Sequence, residues 1–188
     1  MEGTEIPQTN MNANCSDDLT EKDVPSLVNK LSNPDAFIRT DARDALSCIG
    51  PPALPELLNA MANANTQLRW QIIKIFDCIQ DPSTIPILMN HLKNESAEIR
   101  WAASNALINF RREVIPPLLD GLTHDFGSLW FRQSAHHILR VLSNNGLLTP
   151  AERQVYQALD DIEPSVSVPW AAVKALQALH NNKNNLLQ

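Results

Sequence analysis

Few side chains of this 188-residue chain stand at spacings that do chemistry. The adjacent pair His136-His137 invites a metal reading. On a helix, however, neighbouring residues point about 100° apart, so two consecutive imidazoles do not converge on one ion. His137 is expected to make a polar surface contact and His136 to pack on a helix flank, with His91 and His124 in solvent. The three cysteines, Cys15, Cys48 and Cys78, belong to no CxxC or Cys/His cluster, and no zinc site is expected. Neither GxGxxG nor GxxxxGK[ST] occurs, which removes the dinucleotide and P-loop fingerprints. Lys74, Arg112 and Arg140 are too few for a phosphate track, and no Ser/His/Asp or Cys/His constellation follows from spacing. The expectation is a chain with no catalytic residues, no metal and no cofactor.

Composition points the same way. The chain holds 13 prolines and only 5 glycines, with 44% hydrophobic and 19% charged residues, which suits a folded protein. Its net charge is −6, and Glu2, Glu5, Asp17 and Asp18 place most of that excess in residues 1–20, where no Lys or Arg occurs. A body near neutrality, without a basic stripe, argues against nucleic acid. No apolar run reaches the roughly 18–20 residues of a membrane span. The N-terminal sequence lacks the basic and apolar regions of a signal peptide. An odd cysteine count without a framework fits a reducing compartment. A cytoplasmic location is expected.

The elements that position these residues are read from an internal repeat. Pro25, Pro55, Pro86 and Pro116 recur about every thirty residues, and so do Arg39, Arg69, Arg100 and Arg132. After each proline an apolar pattern at +2, +3 and +6 describes a first helix: Leu27, Val28 and Leu31 in the first unit, Leu118, Leu119 and Leu122 in the fourth. After each arginine, positions +3, +6, +7 and +10 carry a second stripe, as in Ile72, Ile75, Phe76 and Ile79. Polar turns separate the two: Asn33-Pro34-Asp35, Asn63-Ala64-Asn65, Asn94-Glu95-Ser96 and His124-Asp125-Phe126-Gly127. Gly50 and Gly146 stand at helix ends, and Thr149-Pro150-Ala151-Glu152 reads as a capping box. A fifth, altered unit follows. Its first helix spans roughly 150–160, and Ala172, Ala175, Leu176 and Leu179 continue the second-helix register, which places Pro169 at the arginine position. Residues 1–20 are expected as a disordered acidic tail, 21–180 as the repeat array and 181–188 as a frayed end.

Helical geometry also gives the outward ridge. The second-helix stripe centres near 290° for an advance of about 100° per residue, so position +1 falls opposite the core with +5 and +8 beside it. The ridge is Thr40, Asp44 and Ser47; Trp70, Lys74 and Asp77; Trp101, Asn105 and Ile108; Gln133, His137 and Arg140. Trp70, Trp101 and, in the fifth unit, Trp170 hold equivalent places. They read either as an aromatic binding strip or as caps on the seams between units. Cys48 and Cys78 share position +9. Helices pack about 8–10 Å apart while a disulfide needs Cα atoms within about 7 Å, so both are expected as buried small apolar residues.

The segments PSLVNKLSNPDAFIRTDARDALSCIG and IPILMNHLKNESAEIRWAASNAL resemble HEAT repeats, in particular the short bacterial kind related to phycobilisome-lyase repeats. The resemblance covers about residues 21–180 and implies an α-solenoid of about five stacked helix pairs, the last atypical. It also implies that the repeated arginines brace one repeat against the next, and that second helices line a concave side. The ridge residues Trp70, Lys74, Asp77, Trp101, Asn105, Gln133, His137 and Arg140 then form a protein-binding surface, and the chain acts as a scaffold or adaptor for another protein. Activities hosted by similar arrays are the alternatives. A bilin lyase or phycobiliprotein chaperone subunit fits the repeat type. A deoxyhypusine-hydroxylase-like oxidoreductase needs His-Glu dyads, and no His-Glu dipeptide occurs. A DNA glycosylase needs a basic groove.

Overall fold

The computed structural model describes residues 19–125 and 127–185, with side-chain surroundings as far as residue 181. The sequence expectations for residues 1–18, for Phe126 in the fourth turn and for residues 186–188 lie outside the described residues. The helices are α1 (Val24–Lys30), α2 (Ala36–Ile49), α3 (Leu54–Ala62), α4 (Thr66–Ile79), α5 (Ile85–His91), α6 (Ala97–Asn109), α7 (Ile115–His124), α8 (Leu129–Asn144), α9 (Pro150–Ala158) and α10 (Pro164–Asn185). No strand occurs among the described residues. The architecture is an all-α solenoid of helix pairs.

Local chemistry sets the helix boundaries. The first helices of the first four units are each entered through a short 3-10 turn: Glu21–Asp23, Pro51–Ala53, Pro82–Thr84 and Arg111–Val114. The repeated proline is the second residue of the helix that follows, where a missing amide hydrogen forfeits no intrahelical bond. Each second helix opens on a side chain that accepts a backbone amide of its first turn. Asp35 accepts from Phe37 at 2.8 Å, Asn65 from Leu68 at 2.9 Å, Ser96 from Ile99 at 3.4 Å and Ser128 from Phe131 at 3.2 Å. The second helices are left through a residue of positive φ at Gly50, Gln80, Arg111 and Gly146. Two of these four exits use a side-chain-bearing residue in a backbone region that disfavours one.

The repeated arginines serve these turns. Arg39 donates to the carbonyls of Asn33 and Pro34 at 2.7 and 2.8 Å. Arg69 donates to that of Ala64 at 2.7 Å, and Arg100 to those of Asn94 and Glu95 at 2.8 and 2.9 Å. The expected brace between repeats is therefore corrected for Arg39 and Arg69, whose hydrogen bonds stay within their own units. Each guanidinium closes the turn inside its own unit, because its side chain reaches back along the helix over the preceding turn. Arg100 adds a contact with the next unit, its Cζ lying 5.0 Å from the Trp130 ring centroid.

Helices α2, α4, α6 and α8 lie side by side in one row, while α1 packs on α3 and α5 on α7 in the other. The first-helix positions Leu27, Leu57, Leu88 and Leu118 are buried between the rows, as are Leu46, Phe76, Leu107 and Leu139 of the second helices. Burial is wide on α4, α6 and α8, each of which has a row neighbour on both sides. There Ile73, Ala102 and Ile108, outside the main stripe, are buried too.

The last pair departs from the sequence register. Ala172 and Ala175 are buried as expected of core positions, but α10 packs on α7 and α9, and α9 packs on α8. The two helices have exchanged rows. Small residues at Ala171, Ala172 and Ala175, with Val168 beside them, let α10 approach both neighbours closely. Pro169, at the arginine position of the register, lies inside α10.

A clamp holds α9 in this place. Glu152 is fully buried and accepts from Arg112 Nη1 and Nη2 at 3.1 and 2.9 Å, and from the Thr149 amide at 2.7 Å. Arg112 also donates to the Leu147 carbonyl.

Candidate protein-binding face

The second-helix row places the ridge residues in three different situations. Trp70 is half-buried and packs on the core, as a seam residue does. Trp101, the same position one unit on, is 58% exposed. It stacks on His137 of α8 with ring centroids 4.5 Å apart and planes inclined by 30°. Neighbouring second helices are joined there a second time, since His137 Nε2 lies 3.3 Å from Asn105 Oδ1.

Positions +8 do not face outward as a group. Asp77 is buried, and its carboxylate accepts from Lys74 at 2.6 Å and from Asn109 of α6 at 2.7 Å. Ile108 is buried as well. On an isolated second helix position +8 faces outward, but in a row of parallel helices the flank beside +1 meets the next helix. Asp77 therefore ties α4 to α6, and Lys74 is committed to it. Ser47 donates to the Arg43 carbonyl at 2.9 Å within its own helix. Thr40 and Asp44 are half-exposed, while Gln133 and Arg140 are exposed.

The outward ridge residues that the fold brings together are thus Trp101, Asn105, Gln133, His137 and Arg140. An open depression of about 320 Å³ lies between α6 and α8, lined by Arg100, Trp101, Ser104, Gln133, His137 and Arg140 among others. Burial is the main cause that holds the His137 imidazole below its ordinary pKa, with the Arg140 and His136 charges adding to it. A second depression of about 350 Å³ adjoins it through Gln133 and His136 and reaches Leu159 and Asp160.

Sequence reasoning missed two partners of this face. His136 is half-buried, and its Nε2 comes within 3.0 Å of Asp160 Oδ1 without hydrogen-bond alignment, while its ring lies 5.2 Å from that of Tyr156. The link between Arg100 and Trp130 was missed as well. Neither pairing has a signal in local spacing, because both join units whose relative placement the sequence does not print.

Other expectations are corrected. His91 is half-buried, with Nδ1 2.8 Å from the Ile87 carbonyl, and burial lowers its pKa. Cys48 and Cys78 are half-buried rather than buried, and Cys78 is a free thiol. Trp170 is 61% exposed on α10, and Lys174 Nζ sits 3.5 Å over its ring. Among the described residues no helix is long and apolar enough to cross a membrane, and no group of three or more His, Cys, Asp or Glu is arranged to hold a metal.

Residues 54–140 match the family model of HEAT repeats. The match runs from the start of α3 into the last turns of α8. No match is found among curated proteins or solved structures.

Proposed function

We propose that this protein is a non-catalytic scaffold or adaptor that binds another protein on the face formed by its second helices, the concave side in the arrays it resembles. The observation that carries the reading is Trp101. A large indole is left mostly in solvent, yet held by its stack on His137 and by a helix fixed on both sides. Exposed aromatic side chains with little freedom left to lose are the usual anchors of protein interfaces. Arg140 and Gln133 beside it orient a partner, with Asn105 positioning His137. HEAT repeats commonly serve as protein-interaction scaffolds, which supports the same reading. The unit length of about thirty residues supports assigning the repeats to the short phycobilisome-lyase-like type.

The test separates the two tryptophans. Full-length protein, immobilised, is used to capture partners from a lysate of its native host, and the captured set is compared between wild type, Trp101→Ala and Trp70→Ala. Trp101→Ala is expected to lose the partner while keeping its helical circular dichroism. Trp70→Ala is expected to lower thermal stability. Identical capture by wild type and Trp101→Ala overturns the proposal.

A further inference from the structure

We infer that the partner segment received by the depression between α6 and α8 is acidic: a stretch of polypeptide with a carboxylate at Arg140 and a neighbouring apolar side chain on the free face of Trp101. The inference rests on the protein-binding reading above and names the chemistry of the partner.

Charge is the first argument. The protein carries a net charge of −6, yet α8 contains Arg132, His136, His137 and Arg140 and no Asp or Glu. The depression is lined by two arginines, Arg100 and Arg140, and by no carboxylate. Elsewhere cations are commonly met by the protein's own acids. Lys74 pairs with Asp77 at 2.6 Å, Lys93 with Asp125 at 2.5 Å, Arg112 with Glu152 at 2.9 Å and Arg43 with Asp44 at 3.5 Å. The Arg140 guanidinium is exposed, and its contact is with the His137 ring at 3.3 Å, a group that leaves its charge uncompensated. A planar guanidinium in this state is well suited to bidentate capture of a carboxylate.

Shape is the second. His137 covers one side of the Trp101 indole, and the other side is open. The Gln133 amide, exposed on the rim, offers donors and an acceptor to a passing backbone. Arg100 cannot leave the floor, since it is fastened to the carbonyls of Asn94 and Glu95. It contributes a fixed positive potential rather than a mobile contact. The arrangement is an apolar plate beside positive charge, which selects against basic segments by like-charge repulsion.

The experiment uses the full chain and three fluorescein-labelled peptides of equal length and equal Trp and Leu content, in which the remaining positions are Glu, Lys or Ser. Anisotropy is expected to show binding of the Glu peptide and none of the Lys peptide. Raising salt from about 0.05 to about 0.5 M weakens the Glu complex by screening. Arg140→Glu and Trp101→Ala each weaken it by about tenfold or more, in line with losing one anchor of a small interface. Gln133→Glu, an exposed rim substitution that leaves the indole stack intact, weakens it in the same direction. Equal or tighter binding of the Ser or Lys peptide overturns the inference, as does Glu-peptide binding that ignores all three substitutions. If no peptide binds, the inference fails, while a Trp101-dependent capture of a native partner leaves the scaffold reading standing. Loss of that dependence defeats the scaffold reading itself.

Discussion

Replacing Arg112 by Ala should loosen the last helix pair by about 2 kcal/mol. The Glu152 carboxylate has no exposed surface and accepts two guanidinium hydrogen bonds at 2.9 and 3.1 Å, besides the Thr149 amide at 2.7 Å. Stripping a buried ion of its partner costs about 3–5 kcal/mol when both members are enclosed. Arg112 is 44% exposed, so water enters the vacated space and restores part of the solvation, which brings the cost towards about 2 kcal/mol. For a chain of this length that corresponds to a fall of roughly 4–8 °C in melting temperature. Glu152→Gln should cost less, since the orphaned guanidinium can turn to solvent. The double variant should be no worse than Arg112→Ala alone, giving a coupling above about 1 kcal/mol. Urea unfolding of the four proteins, followed by far-UV circular dichroism, measures the cycle. A cost below about 0.5 kcal/mol for Arg112→Ala, or strictly additive substitutions, would refute the claim that this clamp seats α9.

Three further outcomes are expected. Gly121→Ala gains about 1 kcal/mol of helix propensity, but its new Cβ would stand 2.5 Å from the Phe131 ring. Because Phe131 is buried and cannot swing aside, an overpacking cost of about 1–3 kcal/mol prevails, and the melting temperature drops. Gly127→Ala, with open space around its Cβ position, serves as the tolerated control in the same melts. Gln80→Gly should stabilise slightly, by about 0.5 kcal/mol, as relief of the left-handed backbone outweighs the extra freedom of the unfolded chain. An unchanged or lowered urea midpoint counts against it. Finally, His91 and His137 have folded pKa values below 6.5, chiefly through burial. The unfolded chain therefore binds protons first as pH falls. Stability from these groups is complete above about 6.5 and is lost as pH drops through that value towards the folded pKa values. Urea midpoints against pH should show this decline, and His137→Gln should flatten part of it.

The sequence made the helices and their core faces legible because both follow from spacing. Prolines at second helical positions, polar caps and two apolar stripes are local signals, and every first-helix leucine named from them is buried. What spacing cannot carry is the meeting of one unit with the next. Asp77 and Ile108 look outward on an isolated helical wheel, but in a row of helices that flank is a seam. Trp70 and Trp101 occupy one register position, yet one packs against core and the other stands in solvent with a histidine behind it. The difference comes from what the next unit offers, His137 in the case of Trp101. The exchanged last pair was hidden for a related reason. Its apolar residues fit the second-helix register, and only long-range contacts, the packing of α9 on α8 and of α10 on α7 and the pairing of Arg112 with Glu152, reveal which row α9 joins.

That exchange has a consequence for how such an array can change in length. An ordinary unit hands its successor the same two surfaces it received, so units can be added one after another. Here α9 stands in the row of second helices and α10 in the row of first helices, with the connection running the wrong way for a further copy. A pair appended after α10 would meet a template in which the partners are transposed. Duplication of a unit remains workable only upstream, between pairs that keep the common order. The exchanged pair thus acts as a punctuation mark in the described array: units in the common order lie on one side of it, and the depression between α6 and α8 is one unit away.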